Sequence, residues 1–199
     1  MNLRKLSVAV LCLAAIASTL AACSSGSNNA GPTTTTISAT TTTDPVPTVA
    51  HPLDSSKFEN TPCSSLTTAQ VEALGVPAPT ADNTPGAVGS ACTWSAGGDS
   101  GILNAVAVTW DTSDSNGMQY AYQRKSKFKY WTTTSVDGYP AVLGDVLDER
   151  PSGTCAVNVG VSDHMLFIVH YYGRDEPQKS QSCQLVVQVA ADVLKNLGG

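Results

Sequence analysis

The amino-acid sequence predicts an α+β domain: a single antiparallel sheet flanked by helices and held by two disulfides. Three observations predict this class. Short segments rich in β-branched and aromatic residues are separated by glycine-containing turns, as in antiparallel hairpins. Segments with apolar residues at three- or four-residue intervals accompany them and predict helices. Four cysteines lie in the same part of the chain, an even number that is typical of a disulfide framework.

Three segments have helical spacing. The first begins at Thr67, because Thr67 and Gln70 match the pattern of a capping box. The second covers residues 115–127, with a capping residue at one of its first two positions. The third covers residues 182–197 and has the most regular apolar stripe, formed by Val186, Val189, Ala190, Val193, Leu194 and Leu197.

Three hairpins are predicted between these helices. Their strand pairs are residues 91–95 with 102–110, 131–136 with 139–146, and 154–161 with 165–172. Asp137-Gly138 in the second pair is the strongest short hairpin signal in the chain. Val106, Val108 and Trp110 are expected to share one face of the sheet. In the third pair, Val157, Val159 and Val161 form an apolar face, opposite Ala156, Asn158 and Gly160.

The first 22 residues have the pattern of a bacterial signal peptide. Arg4 and Lys5 precede an apolar run over residues 6–20, which is shorter than the roughly 20 residues that a membrane-spanning helix needs. The motif Leu20-Ala21-Ala22-Cys23 resembles the lipobox of bacterial lipoproteins, in which the cysteine sulfur receives a diacylglyceryl group. We therefore expect cleavage before Cys23, lipidation of Cys23, and a lipid-anchored location at the extracytoplasmic face of the cell membrane.

Residues 23–57 are predicted to be the lipidated cysteine followed by a disordered tether, because Thr, Ser, Pro and Asn dominate the segment. Its runs of threonine beside proline are also typical of glycosylated stalks. Residues 58–199 have the length of one globular domain. Loss of residues 1–22 changes the formal net charge from −5 to −7, and so acidic a chain is unsuited to binding nucleic acid.

Four cysteines remain in the mature domain: Cys63, Cys92, Cys155 and Cys183. They allow three pairings. The pairing of Cys63 with Cys92 and of Cys155 with Cys183 is favoured, because each bridge then closes a loop of about 30 residues within one half of the domain. A four-cysteine metal site is the alternative, but the chain has no C-x-x-C spacing.

No catalytic, metal or nucleotide motif stands out. The chain has no G-x-S-x-G elbow, and its glycine-rich stretch at 97–101 is too irregular to hold a phosphate. His164 and His170 are predicted at a turn and on the following strand, too far apart to share a metal ion. Asp145, Asp148 and Glu149 are predicted to form a solvated loop. The sequence therefore predicts no enzyme activity, no metal and no cofactor.

One segment is unusual in so acidic a chain. Four cations alternate there with aromatic rings: Arg124, Lys125, Lys127 and Lys129 with Phe128, Tyr130 and Trp131. Such a basic and aromatic patch suits an anionic glycolipid, an acidic polymer of the envelope or an acidic protein partner. The alternative is a helix end whose lysines offset the helix dipole while its aromatic rings enter the core.

Several short motifs together carry a family resemblance. They are Pro62-Cys63-Ser64, Leu66-Thr67, Val71-x-x-Leu74-Gly75, Cys92-Thr93-Trp94, Gly138-Tyr139-Pro140-Ala141 and Cys155-x-Val157-x-Val159, followed by a cysteine that opens the last helix. In order and spacing they resemble the actinobacterial lipoproteins of the domain of unknown function 3558 family. The resemblance covers residues 58–197 and implies an envelope lipoprotein with the two favoured bridges. It implies no activity. The order of elements is also similar to the Mog1 and PsbP folds.

The sequence thus predicts a non-enzymatic envelope lipoprotein that binds a ligand or a protein partner. One face of its sheet and the basic patch are the two surfaces expected to bind. An extracytoplasmic hydrolase and a carrier of a lipid or glycolipid are the alternative functions.

Overall fold

The computed structural model of the protein describes residues 45–96 and 104–198. Short 3₁₀ helices occur at Pro62–Ser64, Lys125–Lys127 and Arg150–Ser152. The α-helices of the described residues are α1 (Ser56–Asn60), α2 (Thr68–Ala73), α3 (Met118–Gln123) and α4 (Gln178–Leu197). The strands are β1 (Thr80–Pro85), β2 (Gly89–Ser95), β3 (Ala105–Asp111), β4 (Tyr130–Val136), β5 (Tyr139–Asp145), β6 (Thr154–Ser162) and β7 (Met165–Tyr172).

These seven strands form one sheet in the order β1-β2-β3-β7-β6-β5-β4. Every neighbouring pair is antiparallel. Strands that follow one another in the chain pair with each other, with the exception of β3 and β4. Strand β3 instead pairs with β7 in the middle of the sheet. The predicted α+β class, the single antiparallel sheet and the pairing of all three predicted hairpins are therefore confirmed. In the described part of the chain, β1 and β4 form the two edges.

Helices α1, α2 and α4 cover one face of the sheet, which we call the α4 face. Val106, Val108 and Trp110 of β3 are fully buried there, as their shared face predicted. The predicted stripe of α4, from Val186 to Leu194, packs on the same core. Full burial of one valine or leucine side chain contributes about 1.5–3 kcal/mol, so this core is the main source of stability.

Helix α3 covers part of the opposite face, which we call the α3 face. Its residues Met118 and Ala121 form a second apolar cluster with Val142 and Leu166. Gly160 permits this packing, because a Cβ atom at that position would lie only 2.5 Å from Cγ of Met118. Both faces of the central strands are consequently buried.

Several boundaries differ from the sequence prediction. Helix α3 begins only after Gly117, and no side chain caps it. The carboxylate of Asp114 instead accepts a hydrogen bond from the backbone N–H of Asn116, which holds the preceding residues in a turn. Helix α4 begins four residues before the predicted start. The predictions missed β1, because its Asp, Asn and Pro residues disfavour strands.

The domain also begins earlier than the predicted boundary at residue 57. Val49 belongs to the core of the α4 face, and its N–H donates to the carboxylate of Asp163. The N–H of Leu53 donates to the carbonyl of Val161 at 2.8 Å. Composition predicted a disordered tether over this stretch, but these contacts anchor residues 49–57 to the turn between β6 and β7. The tether prediction is therefore wrong for these residues.

Two disulfides join the helices to the sheet. Cys63 pairs with Cys92, and Cys155 pairs with Cys183, as favoured from the sequence. The first bridge links the 3₁₀ helix before α2 to β2, and the second links β6 to α4. Each therefore holds an element of the covering layer against the α4 face.

Replacement of Cys155 and Cys183 together by alanine is expected to lower the free energy of unfolding by roughly 3–4 kcal/mol, because the unfolded chain regains the entropy of an open loop. The same change at Cys63 and Cys92 should have a similar effect, since the two sequence separations are 28 and 29 residues. Urea unfolding measures both, and reduced wild-type protein serves as the control that lacks both bridges. A double variant as stable as the wild type would contradict this account.

Candidate functional site

A cavity of about 190 Å³ lies on the α3 face, between α3, the segment before β4, the end of β3 and the strands β5 to β7. Strands β6 and β7 form its floor through Asn158, Leu166 and Ile168. Most of its wall is apolar. Its apolar side chains are those of Val88, Ala121, Phe128, Val146, Leu166 and Ile168. Such a concave, mainly apolar site with a few polar groups is the usual form of a small-molecule binding site.

Gly144 of β5 shapes the wall of the cavity. A Cβ atom at this position would lie 2.9 Å from the ring of Phe128 and from the carbonyl oxygen of Tyr130. The missing side chain therefore lets the Phe128 ring approach the sheet. Beside it, Val146 is unusually exposed for a valine and lies at the rim.

His170 and Asp145 form a hydrogen-bonded pair at one end of the cavity. Nε2 of His170 lies 3.1 Å from Oδ2 of Asp145, and both side chains are about three-quarters buried. The two residues meet because β5 and β7 both pair with β6, which brings their carboxyl-terminal halves to the same region of the sheet. The ring of Tyr172 stacks on His170 at a centroid distance of 6.0 Å and fixes one side of the imidazole.

The surroundings shift the pKa of two groups at this end. Burial by itself raises the pKa of Asp145, but the hydrogen bond and charge of His170, with two backbone N–H groups, lower it below its ordinary value of 3.8. Burial raises the pKa of Tyr172, and the negative charge of Asp145 adds to that rise. Asp145 is therefore held as a carboxylate and Tyr172 as a neutral phenol at neutral pH.

Three further polar groups face the cavity. Asp111 is 4% exposed, and its carboxylate accepts hydrogen bonds from Ser113. The side-chain amide of Asn158 donates to the carbonyl of Gly144, which leaves its oxygen available as an acceptor. Arg124 at the end of α3 hydrogen-bonds the Tyr120 hydroxyl and lies over the ring of Tyr120. The polar groups are thus a cation, two carboxylates and an amide around an apolar floor.

The predicted basic patch is only partly assembled. Arg124 lines the cavity, whereas Lys125 lies 5.6 Å from the ring centroid of Trp131. Lys127 and Lys129 are exposed on the segment that leads into β4. Trp131 packs edge-on against Tyr122 and Phe128 at about 5 Å, and its indole nitrogen is buried without a hydrogen-bond partner in the described residues. The rings of Phe128 and Trp131 thus pack on the α3 face, whereas Tyr130 belongs to the core of the α4 face.

The other predicted site residues fall into two groups. The two disulfides are formed by four of them, Cys63, Cys92, Cys155 and Cys183. Cys23 and the glycine-rich loop at 97–101 lie outside the described residues. Across residues 45–96 and 104–198, no cluster of three or more metal-ligating side chains occurs, and no helix has the length and hydropathy of a membrane span.

The prediction that Asp145, Asp148 and Glu149 form one solvated loop is wrong for Asp145. Asp145 is the last residue of β5 and turns its carboxylate towards His170, while Asp148 pairs with Arg150 on the surface. The pairing of Asp145 with His170 was missed because the two residues are 25 positions apart and only the order of the strands brings them together.

These features define an α+β domain with two disulfides and a small, mainly apolar cavity on one face of its sheet. The chain belongs to the family described as Protein of unknown function (DUF3558), whose model matches residues 18–196. This match confirms the family that the sequence motifs indicated. Comparison with curated proteins and with solved structures found no match.

Replacement of Asp145 by asparagine should remove an acid-sensitive contribution to stability. A carboxylate with a lowered folded-state pKa stabilises the protein fully above its unfolded pKa, near 3.8, and this stabilisation is lost as the pH falls through the lower folded-state pKa. Urea unfolding between about pH 6 and pH 2 is therefore expected to show a shallower acid limb for D145N than for the wild type. D175N, at an exposed carboxylate outside the cavity, is the matched control. Equal acid limbs for D145N and the wild type would contradict the assignment.

Proposed function

We propose that this chain is a lipid-anchored protein of the cell envelope whose domain binds a small, mainly apolar molecule in the cavity of the α3 face. The observation that carries the proposal is the cavity itself. Helix α3 is only six residues long, so it buries Leu166 but leaves Ile168 and the region beside it partly open. A volume of about 190 Å³ is below the range of about 300–1,000 Å³ of drug-sized pockets, so a compact molecule or one end of a longer chain fits best.

The polar groups suggest how such a molecule is oriented. Its apolar part would lie on Leu166 and Ile168, where exclusion of water supplies the binding energy. Its polar part would meet Arg124 at the rim or the free amide oxygen of Asn158 on the floor. The pair of His170 and Asp145 closes one end, where the Asp145 carboxylate is hydrogen-bonded to the imidazole. A few fixed polar groups around an apolar floor provide orientation and selectivity.

We propose a binding function and not a catalytic one. A His–Asp pair is part of many hydrolase sites, where the histidine activates a neighbouring hydroxyl or thiol. Among the described residues that line the cavity, none is a serine, threonine or cysteine. The pair of His170 and Asp145 therefore has no such nucleophile beside it. The extracytoplasmic hydrolase is accordingly the weaker alternative, whereas a carrier of a lipid is one form of the proposed function.

The envelope location rests on the sequence of the N-terminus. The apolar run followed by Leu20-Ala21-Ala22-Cys23 is the basis for proposing a lipid on Cys23. Val49 is the first core residue in the described part of the chain, so the residues between Cys23 and Val49 form the connection between lipid and domain in this proposal. Two or more acyl chains on one cysteine are enough for stable attachment.

Replacement of Ile168 by tryptophan is expected to fill the cavity and abolish ligand binding. The mature chain would be purified from the envelope of its bacterial host, and native mass spectrometry would compare its mass before and after denaturation. We expect the wild type to carry a mass excess that denaturation releases, and I168W to lack it. Q188W, at an exposed position on α4 across the sheet, is the control for adding a tryptophan and should retain the excess. The proposal would be contradicted if the wild type carried no mass excess, or if I168W retained one.

The lipid on Cys23 is tested separately from the ligand. The N-terminal peptide of the mature wild type should begin at Cys23 and carry the mass of a diacylglyceryl group, and the protein should partition into the detergent phase. C23S should lose the added mass and stay unprocessed, because the sulfur that receives the lipid is gone. C12S, within the apolar run of the signal, is the matched control and should be processed normally. Unmodified Cys23 in the wild type would exclude the lipoprotein assignment.

A further inference from the structure

Strand β4 leaves one side of the sheet unpaired. It pairs only with β5, and it is the last strand in the sheet order of the described residues. An edge strand presents a row of unpaired N–H and C=O groups that another strand can complete. The outward backbone groups of β4 therefore decide which strand could pair with it.

The hairpin geometry identifies the outward groups. Asp137 and Gly138 have φ values of 48° and 85°, the signature of a two-residue turn that is closed by a hydrogen-bonded pair, here Val136 with Tyr139. Hydrogen-bonded pairs alternate along an antiparallel ladder, so Ser135 and Pro140 form a non-bonded pair. That assignment agrees with the chemistry of Pro140, which has no N–H to donate. The N–H and C=O groups of Trp131, Thr133 and Ser135 therefore point away from β5.

The residues of β4 themselves lack the devices that usually protect edge strands. The segment 45–48 lines a pocket together with residues 133–135, but it forms no ladder with the strand. The seven residues of β4, YWTTTSV, include no charged residue and no proline, and the pairing of β4 with β5 has no register shift. They are rich in β-branched and aromatic residues, which favour strands. The opposite edge, β1, contains Asp82 and Pro85, both of which discourage a further strand. Only one of the two edges is therefore suited to pairing.

We propose that β4 pairs antiparallel with β4 of a second copy of this chain, with Thr133 on the two-fold axis. In this register Thr133 faces its own copy, and Trp131 faces Ser135 of the second copy. All the outward residues then pair with one another and exchange both backbone hydrogen bonds. Thr132 faces Thr134 of the second copy, and threonine pairs of this kind stabilise neighbouring strands.

The charges beside the strand match the same register. Lys129 precedes β4 and Asp137 follows it, so each lysine comes opposite the aspartate of the second copy. A parallel arrangement would instead place Lys125, Lys127 and Lys129 of the two copies side by side, where like charges repel. The two-fold axis is perpendicular to the joined sheet, so both cavities open on the same side of it. This proposal does not depend on the ligand.

A single cysteine on the axis tests the register. The Cα atoms of a hydrogen-bonded antiparallel pair are about 5.5 Å apart, within the range that a disulfide spans. The mature full-length chain with Thr133→Cys is therefore expected to form a covalent dimer on mild oxidation, detected on non-reducing gels and by mass spectrometry of the linked peptides. Thr84→Cys, at an equally exposed threonine on the β1 edge, is the matched control and should stay largely monomeric. Equal cross-linking of both variants, or none at position 133, would overturn the proposal.

Sedimentation of the unlinked chain provides the second measurement. The wild type should sediment as a dimer. Thr133→Pro should be a monomer, because proline removes an outward N–H without touching the ladder to β5. If that variant does not fold, Lys129→Glu tests the interface instead. It places a carboxylate opposite Asp137 of the second copy at two positions in each dimer. This repulsion should weaken the dimer about tenfold. Lys127→Glu carries the same charge change outside the register and should have a much smaller effect. A wild type that is monomeric at every attainable concentration, or equal effects of the two lysine variants, would refute the interface.

Discussion

Much of the fold depends on the burial of Trp110 in the middle of the α4 face. Its ring packs between Phe58 of α1 and Phe167 of β7, at centroid distances of 5.7 and 5.1 Å. Its indole N–H donates to the hydroxyl of Ser65, whose carbonyl accepts from the side chain of Asn196 in α4. A buried tryptophan needs both apolar neighbours and a partner for its N–H. Phe58, Phe167 and Ser65 meet these needs, so this one side chain positions α1 and the segment before α2 on the sheet, and Ser65 in turn links that segment to α4.

The two faces of the sheet are covered unequally, and the cavity is a consequence. Helix α4 has 20 residues and covers the central strands on one side, whereas α3 has six and covers only part of the other. The strands beside α3 still carry apolar side chains on that face, among them Leu166 and Ile168. Leu166 is buried against Met118 and Ala121 of α3, whereas Ile168 is only partly buried, and polar groups from β3, β5 and the end of α3 lie around it. A space of about 190 Å³ beside α3 therefore results from the shortness of one helix.

Some elements were predictable because their signals are local. The capping box of Thr67 and Gln70 is formed as predicted, since it depends on neighbours three residues apart. The hairpin at Asp137 and Gly138 was likewise predictable, because it depends on two adjacent residues that tolerate positive φ. Strand β1 and the packing of Val49 were not predictable in this way. Strand β1 is stabilised by its hairpin with β2, and Val49 by its contact with the distant turn between β6 and β7. In both cases these tertiary contacts override unfavourable local propensities.

By itself the sequence determined the α+β class, the single antiparallel sheet, the two disulfides and the apolar faces of β3 and α4, because periodicity, turn residues and loop lengths act over short distances. Only the tertiary structure decided which titratable groups meet. Asp145 and His170 lie 3.1 Å apart because β5, β6 and β7 are neighbours in the sheet, an order that no local pattern specifies. The cavity, too, depends on how much of the sheet the short helix α3 leaves uncovered. Sites of this kind arise from strand order and layer coverage, which are properties of the folded chain as a whole.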